Sequence, residues 1–278
     1  QEQAIGLDSL AAHAYNEMGM AYRWQKNYPK ALDAFERART LSPTWVVPVG
    51  NISMAFLETE KYDDAAQMAE QALALRQDYV PPRHNLAVIA YRSGDYRKAI
   101  ELAEGAIGID SAFAKAYYIL GKAWEAVDSL GLAQSAYLQA VRLDPKDALA
   151  NNSLGYIANL NGRYEEAAAY YEAAIQSHPY FANAHYDLGF LYLSELPDYL
   201  RAEGHFRQYV KLKPADPEGP VLLACALSLQ GEQEQALKWL EQALKDGFRG
   251  FDDLRSTPFL AALQHDPRFT ELISQYEN

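Results

Sequence analysis

Six histidines, one cysteine and several adjacent carboxylates are the side chains here that could do chemistry. A helix-borne zinc site needs ligands at set spacing, such as two histidines one turn apart backed by a glutamate. His13, His84, His178, His185, His205 and His265 show no such spacing to one another, to the cysteine or to a carboxylate. Cys225 lies in a helical apolar run with no helix N-terminus beside it to favour a thiolate, so it reads as a small buried hydrophobe. Asp63-Asp64 and Glu165-Glu166 sit where helices begin, and there negative charge complements the helix dipole. Glycine-rich phosphate loops and a serine elbow are absent. The expectation is a chain that is not an enzyme, with no catalytic residue, no cofactor and no metal site.

The bulk numbers narrow the partners. The net charge of −12 opposes nucleic acid, which needs clustered Lys and Arg, and opposes an anionic membrane surface. Hydrophobic residues make up 49% of the 278, enough for a continuous core. One cysteine permits no intrachain disulfide. No apolar run approaches the roughly 18 residues of a membrane span, and no signal-peptide pattern is present, so no membrane insertion is expected. The chain starts at Gln1 without a methionine, as a mature product or an excised piece would. The compartment is left between cytoplasm and bacterial periplasm.

What must position any functional residue is a repeat. Ala31, Ala65, Ala99, Ala133, Ala167, Ala202 and Ala236 stand 34, 34, 34, 34, 35 and 34 residues apart. A tyrosine usually precedes this alanine by three, and a second alanine follows by seven (Ala38, Ala72, Ala106, Ala140, Ala174 and Ala243). Such a period marks a stacked repeat protein. The repeats span 12–45, 46–79, 80–113, 114–147, 148–181, 182–216 and 217–249. Within each, an apolar stripe with i, i+3, i+4, i+7 spacing predicts a first helix, as in Tyr117, Leu120, Gly121 and Trp124. A polar break follows, then a second helix, and Pro43, Pro145, Pro179 and Pro214 close four of the units. Gly19, Ser53, Ala87, Gly121, Gly155, Gly189 and Ala224 share one first-helix position. Small side chains there predict close approach of the second helix, with aromatic residues filling the space beside it.

The departures carry expectations of their own. Repeats two and three lack the closing proline, and repeat three has Arg83 at an aromatic position with Gly105 and Gly108 inside its second helix. Those glycines should weaken it. Repeat six has one extra residue near Leu196-Pro197-Asp198. Ala4, Asp8 and Ser9 lie 34 residues before Ala38, Ser42 and Pro43, so residues 1–11 read as the end of a preceding repeat helix or an N-terminal cap. Residues 250–278 break the period. There Asp266-Pro267 predicts a helix start, and Leu254, Phe259, Leu263, Phe269 and Leu272 supply apolar contacts for a C-terminal cap that shields the last repeat.

Spacing and residue types over residues 12 to about 249 resemble the tetratricopeptide repeat family, and the tail resembles the closing segment of many bacterial repeat proteins. The resemblance implies an all-α, right-handed superhelical solenoid of seven helix-turn-helix repeats with a C-terminal helical cap. It implies a scaffold that binds a protein or peptide on the concave face, lined by the second, fifth, sixth, ninth and twelfth positions of the first helices. The peptide-binding set carried over is Asn16, Met20, Asn51, Met54, His84, Asn85, Tyr118, Lys122, Asn152, Tyr156, Tyr186 and Phe190, with Glu17 and Asp187 beside them. Asn51 and Asn85 hold the sixth position of consecutive repeats, and asparagines there grip a peptide backbone in several family members. An amide can both donate and accept. The methionines and aromatics suit apolar anchors. The family's lysine clamp for a C-terminal carboxylate does not fit, because no fifth position carries lysine. The expected role is an adaptor holding an extended peptide segment, favoured as a monomer. The alternatives are a self-assembling module stacked through its N-terminal end and the recruitment domain of a larger enzyme.

Overall fold

The computed structural model describes the backbone of residues 2–277 and the side chains of residues 8–277. Among them there is no β-strand, and helices account for the regular structure. The chain divides into two units, Gln1–Asp144 and Pro145–Asn278. The first holds α1 (Glu2–Trp24), α2 (Tyr28–Leu41), α3 (Val46–Glu58), α4 (Tyr62–Leu75), α5 (Val80–Arg92), α6 (Tyr96–Ile109), α7 (Ala114–Ala126) and α8 (Leu130–Leu143). The second holds α9 (Ala148–Leu160), α10 (Tyr164–Ser177), α11 (Ala182–Ser194), α12 (Tyr199–Leu212), α13 (Glu218–Leu229), α14 (Gln233–Lys245), α15 (Phe251–Ser256), a 3-10 turn (Pro258–Leu260), α16 (Ala261–Gln264) and α17 (Pro267–Glu277). Within each unit the two helices of every repeat pack on each other and on the next repeat, as the helix-turn-helix reading requires.

The turn inside a repeat ends one helix and starts the next with few residues. Gly94 N–H donates to Tyr91 O at 3.1 Å and Asp95 N–H to Ala90 O at 2.9 Å, a pair of bonds that satisfies the last carbonyls of α5. That geometry requires a left-handed residue. Gly94, Gly162 and Gly231 supply it, but Lys26, Glu60 and Asp128 also adopt it, with φ of 57°, 59° and 57°. The following residue then caps the second helix where it can. Asp95 accepts from Lys98 N–H at 3.1 Å, and Asn27 does the same for Lys30. In repeat six the added residue moves this bond, so Asp198 N–H reaches Tyr192 O at 2.9 Å instead.

The recurring alanines are fully buried in the helix contacts. The small first-helix position is matched by size across the pair. A Cβ on Gly19, Gly155 or Gly189 would stand 2.5, 2.6 or 2.8 Å from the ring of Phe35, Tyr171 or Phe206. Tyr137 fills the same place against Gly121. Where the first helix carries Ser53 or Ala87 instead, the second carries Ala69 or Ala103, all buried. In these six repeats large meets absent and small meets small, so helix spacing is kept without overpacking.

The two ends differ from the middle. Residues 2–24 form one unbroken helix, so the segment extends α1, which goes against the end of a separate preceding helix and leaves the N-terminal cap of the two readings. No glycine or proline lies between Asp8 and Ala12 to stop it. Gln1 and the side chain of Ala4 lie outside the described residues. At the other end, Leu254, Leu260, Leu263, Phe269 and Ile273 are buried in one cluster with Leu223, Leu227, Leu240 and Leu244, and Phe259 and Leu272 pack against it. Asp266 accepts from Arg268 N–H at 2.9 Å at the start of α17.

Candidate functional site

In each unit, consecutive first helices touch, whereas second helices meet one another marginally at most. The stack is therefore tighter on the first-helix side, and residues facing away from the second helices line its inner face. The twelve candidate positions fall on this side, but they differ in what they offer.

In the first unit most of them are already engaged. Asn16, Asn51 and Asn85 are buried. Asn51 Nδ2 donates to Asn16 Oδ1 at 2.8 Å. Asn85 Nδ2 donates to Ser53 Oγ at 3.1 Å, and that hydroxyl donates to Ala65 O at 2.8 Å. These amides tie neighbouring repeats together, and Asn51 and Asn85 are buried where the peptide-ligand reading expects them on the open groove. Met20 and Met54 are half-buried. Arg23 lies against Met54 Sδ at 3.4 Å and pairs with Glu58 at 2.6 Å. His84 packs edge-on against Phe113, with centroids 5.6 Å apart, and burial with the Lys115 charge pushes it down to about 4. Its Nδ1 is buried without a partner. Tyr118 leans on the Tyr137 ring at 5.8 Å. Lys122 pairs with Glu125 at 2.8 Å, and Glu125 also accepts from the Tyr137 hydroxyl at 2.5 Å.

In the second unit repeats five and six leave inner-face residues open, whereas Val221, Leu222, Cys225 and Ser228 of repeat seven are buried. Tyr156 and Phe190, at the ninth positions of adjacent repeats, are 43% and 38% exposed. Leu149 and Leu160 on α9 are 48% and 52% exposed and extend the apolar surface along both ends of that helix. Asn152 Nδ2 donates to Asp187 Oδ2 at 2.9 Å and so joins α9 to α11 below the rings. Asn152 Oδ1 is buried without a partner. Burial raises the Asp187 carboxyl, and the Asn152 bond partly offsets it. The Tyr171 hydroxyl lies within electrostatic reach of both Asp187 and Tyr156, and burial together with those two groups raises it strongly. Tyr186 packs edge-on against Tyr209 at 5.2 Å and donates to Glu218 at 3.0 Å. Leu160 was not among the sequence candidates because it occupies the thirteenth position, outside the five carried over. An apolar residue at the polar end of a first helix was the available signal.

Several of the residues screened for chemistry are engaged in packing or in hydrogen bonds. His185 Nε2 donates to Pro179 O at 3.0 Å, which leaves its Nδ1 to accept from His205 Nδ1 at 3.1 Å. His13 stacks on Trp45 at 4.1 Å. Cys225 is buried, and burial pushes its thiol up to about 12, far from thiolate reactivity. Among the described residues no group of three His, Cys, Asp or Glu is placed to hold a metal ion, and no helix is long and apolar enough to cross a membrane.

Sequence models of the tetratricopeptide repeat match residues 10–78, 56–107, 129–182 and 161–220. No curated protein matches the chain. The fold is similar to that of Pseudomonas aeruginosa pilF, at 18% identity and a TM-score of 0.65 over 81% of this chain and 99% of that one. It is similar to a chain of the APC/C hetero-tetramer Cut9–Hcn1, at 16% identity and a TM-score of 0.65 over 90% of this chain and 49% of that one. The tetratricopeptide repeat protein TTC0263 of Thermus thermophilus matches at 20% identity and a TM-score of 0.54, over 66% of this chain and 100% of that one.

Proposed function

The chain belongs to the tetratricopeptide repeat family, a repeat module of protein–protein interaction, and from that premise we propose that it is a non-enzymatic adaptor. It takes an extended segment of a partner protein on the inner face of its first helices, with repeats five and six making the main contact. The observation that carries this reading is the exposure of Tyr156 and Phe190 at equivalent positions of adjacent repeats. Aromatic side chains on a rigid helical base are the groups that dominate binding energy where segments dock, because they bury large area at small entropic cost. The matching positions of the first unit hold half-buried Met20 and Met54, Val88, and Lys122 paired to Glu125.

The test is a capture of partners from the native lysate on the intact chain, compared with the Tyr156→Ala/Phe190→Ala variant. The reading predicts a protein retained by the parent and lost by the variant while the melting temperature is kept. Retention by both would place the contact elsewhere and reject it.

A further inference from the structure

The charges on the second unit's inner face have one sign. The second, fifth, sixth, ninth, twelfth and thirteenth positions of repeats five to seven contain no Lys, Arg or His. Their only charges are Asp187 and Glu218. Neither forms an ion pair among the described residues, although Arg163, Arg201, Arg207, Lys238 and Lys245 in the same unit all do. Asp187 is half-buried and receives one neutral amide. A carboxylate removed from water without a cation is an unfavourable arrangement that a ligand charge would relieve. Tyr186 stands between the two carboxylates, adjacent to Asp187 in sequence and bonded to Glu218. Tyr156 and Phe190 lie one helical turn beyond Asn152 and Asp187 on α9 and α11, on the same side of each helix. Exposed rings beside unpaired carboxylates offer a cation both a π face and a charge-assisted hydrogen bond.

Resting on the inner-face reading above, we infer that repeats five and six, with Glu218 at the start of repeat seven, bind a basic segment of a partner protein, seating a lysine or arginine against Asp187 and Glu218 while a flanking apolar residue packs on Tyr156 and Phe190. An acidic segment would meet like charge at both carboxylates. A neutral one would leave Asp187 unpaired. The chain's net charge of −12 also draws a basic segment in at long range.

The experiment is selection of random twelve-residue peptides displayed on phage against the full chain, followed by affinity measurement of the enriched peptides. The inference expects enrichment of Lys or Arg next to an apolar residue, and affinity that falls with added salt. Asp187→Asn keeps an acceptor for Asn152 and should lower affinity for such a peptide about tenfold, and so should Glu218→Gln, at an exposed site where folding is not at stake. Enriched peptides that are neutral or acidic, or basic peptides indifferent to both variants, overturn the inference. If those peptides still lose affinity on Tyr156→Ala/Phe190→Ala, the inner-face reading stands without it. No enrichment, or peptides held equally by the double aromatic variant, overturns both.

Discussion

Asn51 donates its side-chain amide to Asn16 across 2.8 Å, joining the first helices of two consecutive repeats inside the protein. Removing one partner of a buried hydrogen bond leaves the other unsatisfied, at a cost of about 1–3 kcal/mol. Asn51→Ala should therefore lower the unfolding free energy in urea by that amount, and partner affinity of the folded protein should be unchanged. Lost affinity with unchanged stability would return Asn51 to the role of a peptide ligand.

Two glycine substitutions of one type should act in opposite directions. Gly155→Ala drives a methyl into the Tyr171 ring, and overpacking of this kind costs about 1–3 kcal/mol. Gly108 is an exposed residue inside α6 with open space where its Cβ would be. Gly108→Ala should stabilise by about 0.5–1 kcal/mol. Equal effects in equilibrium denaturation would mean that helix propensity and helix spacing do not compete as described.

Glu60 holds a left-handed backbone at φ 59° in a turn where three other repeats place glycine. A left-handed L-residue costs roughly 1–2 kcal/mol, partly offset by the unfolded-state freedom that glycine adds. Glu60→Gly should stabilise modestly, and Gly94→Ala, at φ 82°, should destabilise. Calorimetric melting of the two variants checks the pair of signs.

Two histidines give a pH dependence. His205 is held down to about 4 by burial, by the adjacent His185 and by Arg201, and His84 is held equally low by burial and Lys115. Both are lowered from the ordinary 6.5, so between about 6.5 and 4 the unfolded chain binds more protons than the folded one. Their contribution is therefore constant above that window and is lost as pH falls through it. His205→Gln and His84→Gln should each reduce the difference in unfolding free energy between about pH 7 and about pH 4.5. An unchanged difference would show that neither site resists protonation.

The repeat was legible because each of its requirements is local. A small residue facing an aromatic one, an alanine at each close contact and a left-handed turn residue all recur within one period. The bonds of the asparagines were not legible because their partners lie in neighbouring repeats. Asn16 and Asn51 are 35 residues apart, and only stacking brings their amides together. The continuity of α1 was not legible because the likeness of the N-terminal segment to the stretch from Ala38 to Ser42 suggested a helix end, whereas the run from Asp8 to Ala12 contains nothing to break a helix. Which inner-face residues are open depends in part on the Arg23–Glu58 ion pair, which also forms between repeats.

A partner segment bound to the inner face of repeats five and six is the central claim. Its most direct test compares affinity for a captured or selected segment between two variants of folded, monodisperse protein. One removes Tyr156 and Phe190. The other removes Leu132 and Leu200, which are apolar and still more exposed but lie on second helices. Inner-face binding predicts that Tyr156→Ala/Phe190→Ala loses at least about tenfold in affinity and Leu132→Ala/Leu200→Ala loses none. Loss through the leucine pair with the aromatic pair indifferent would contradict it.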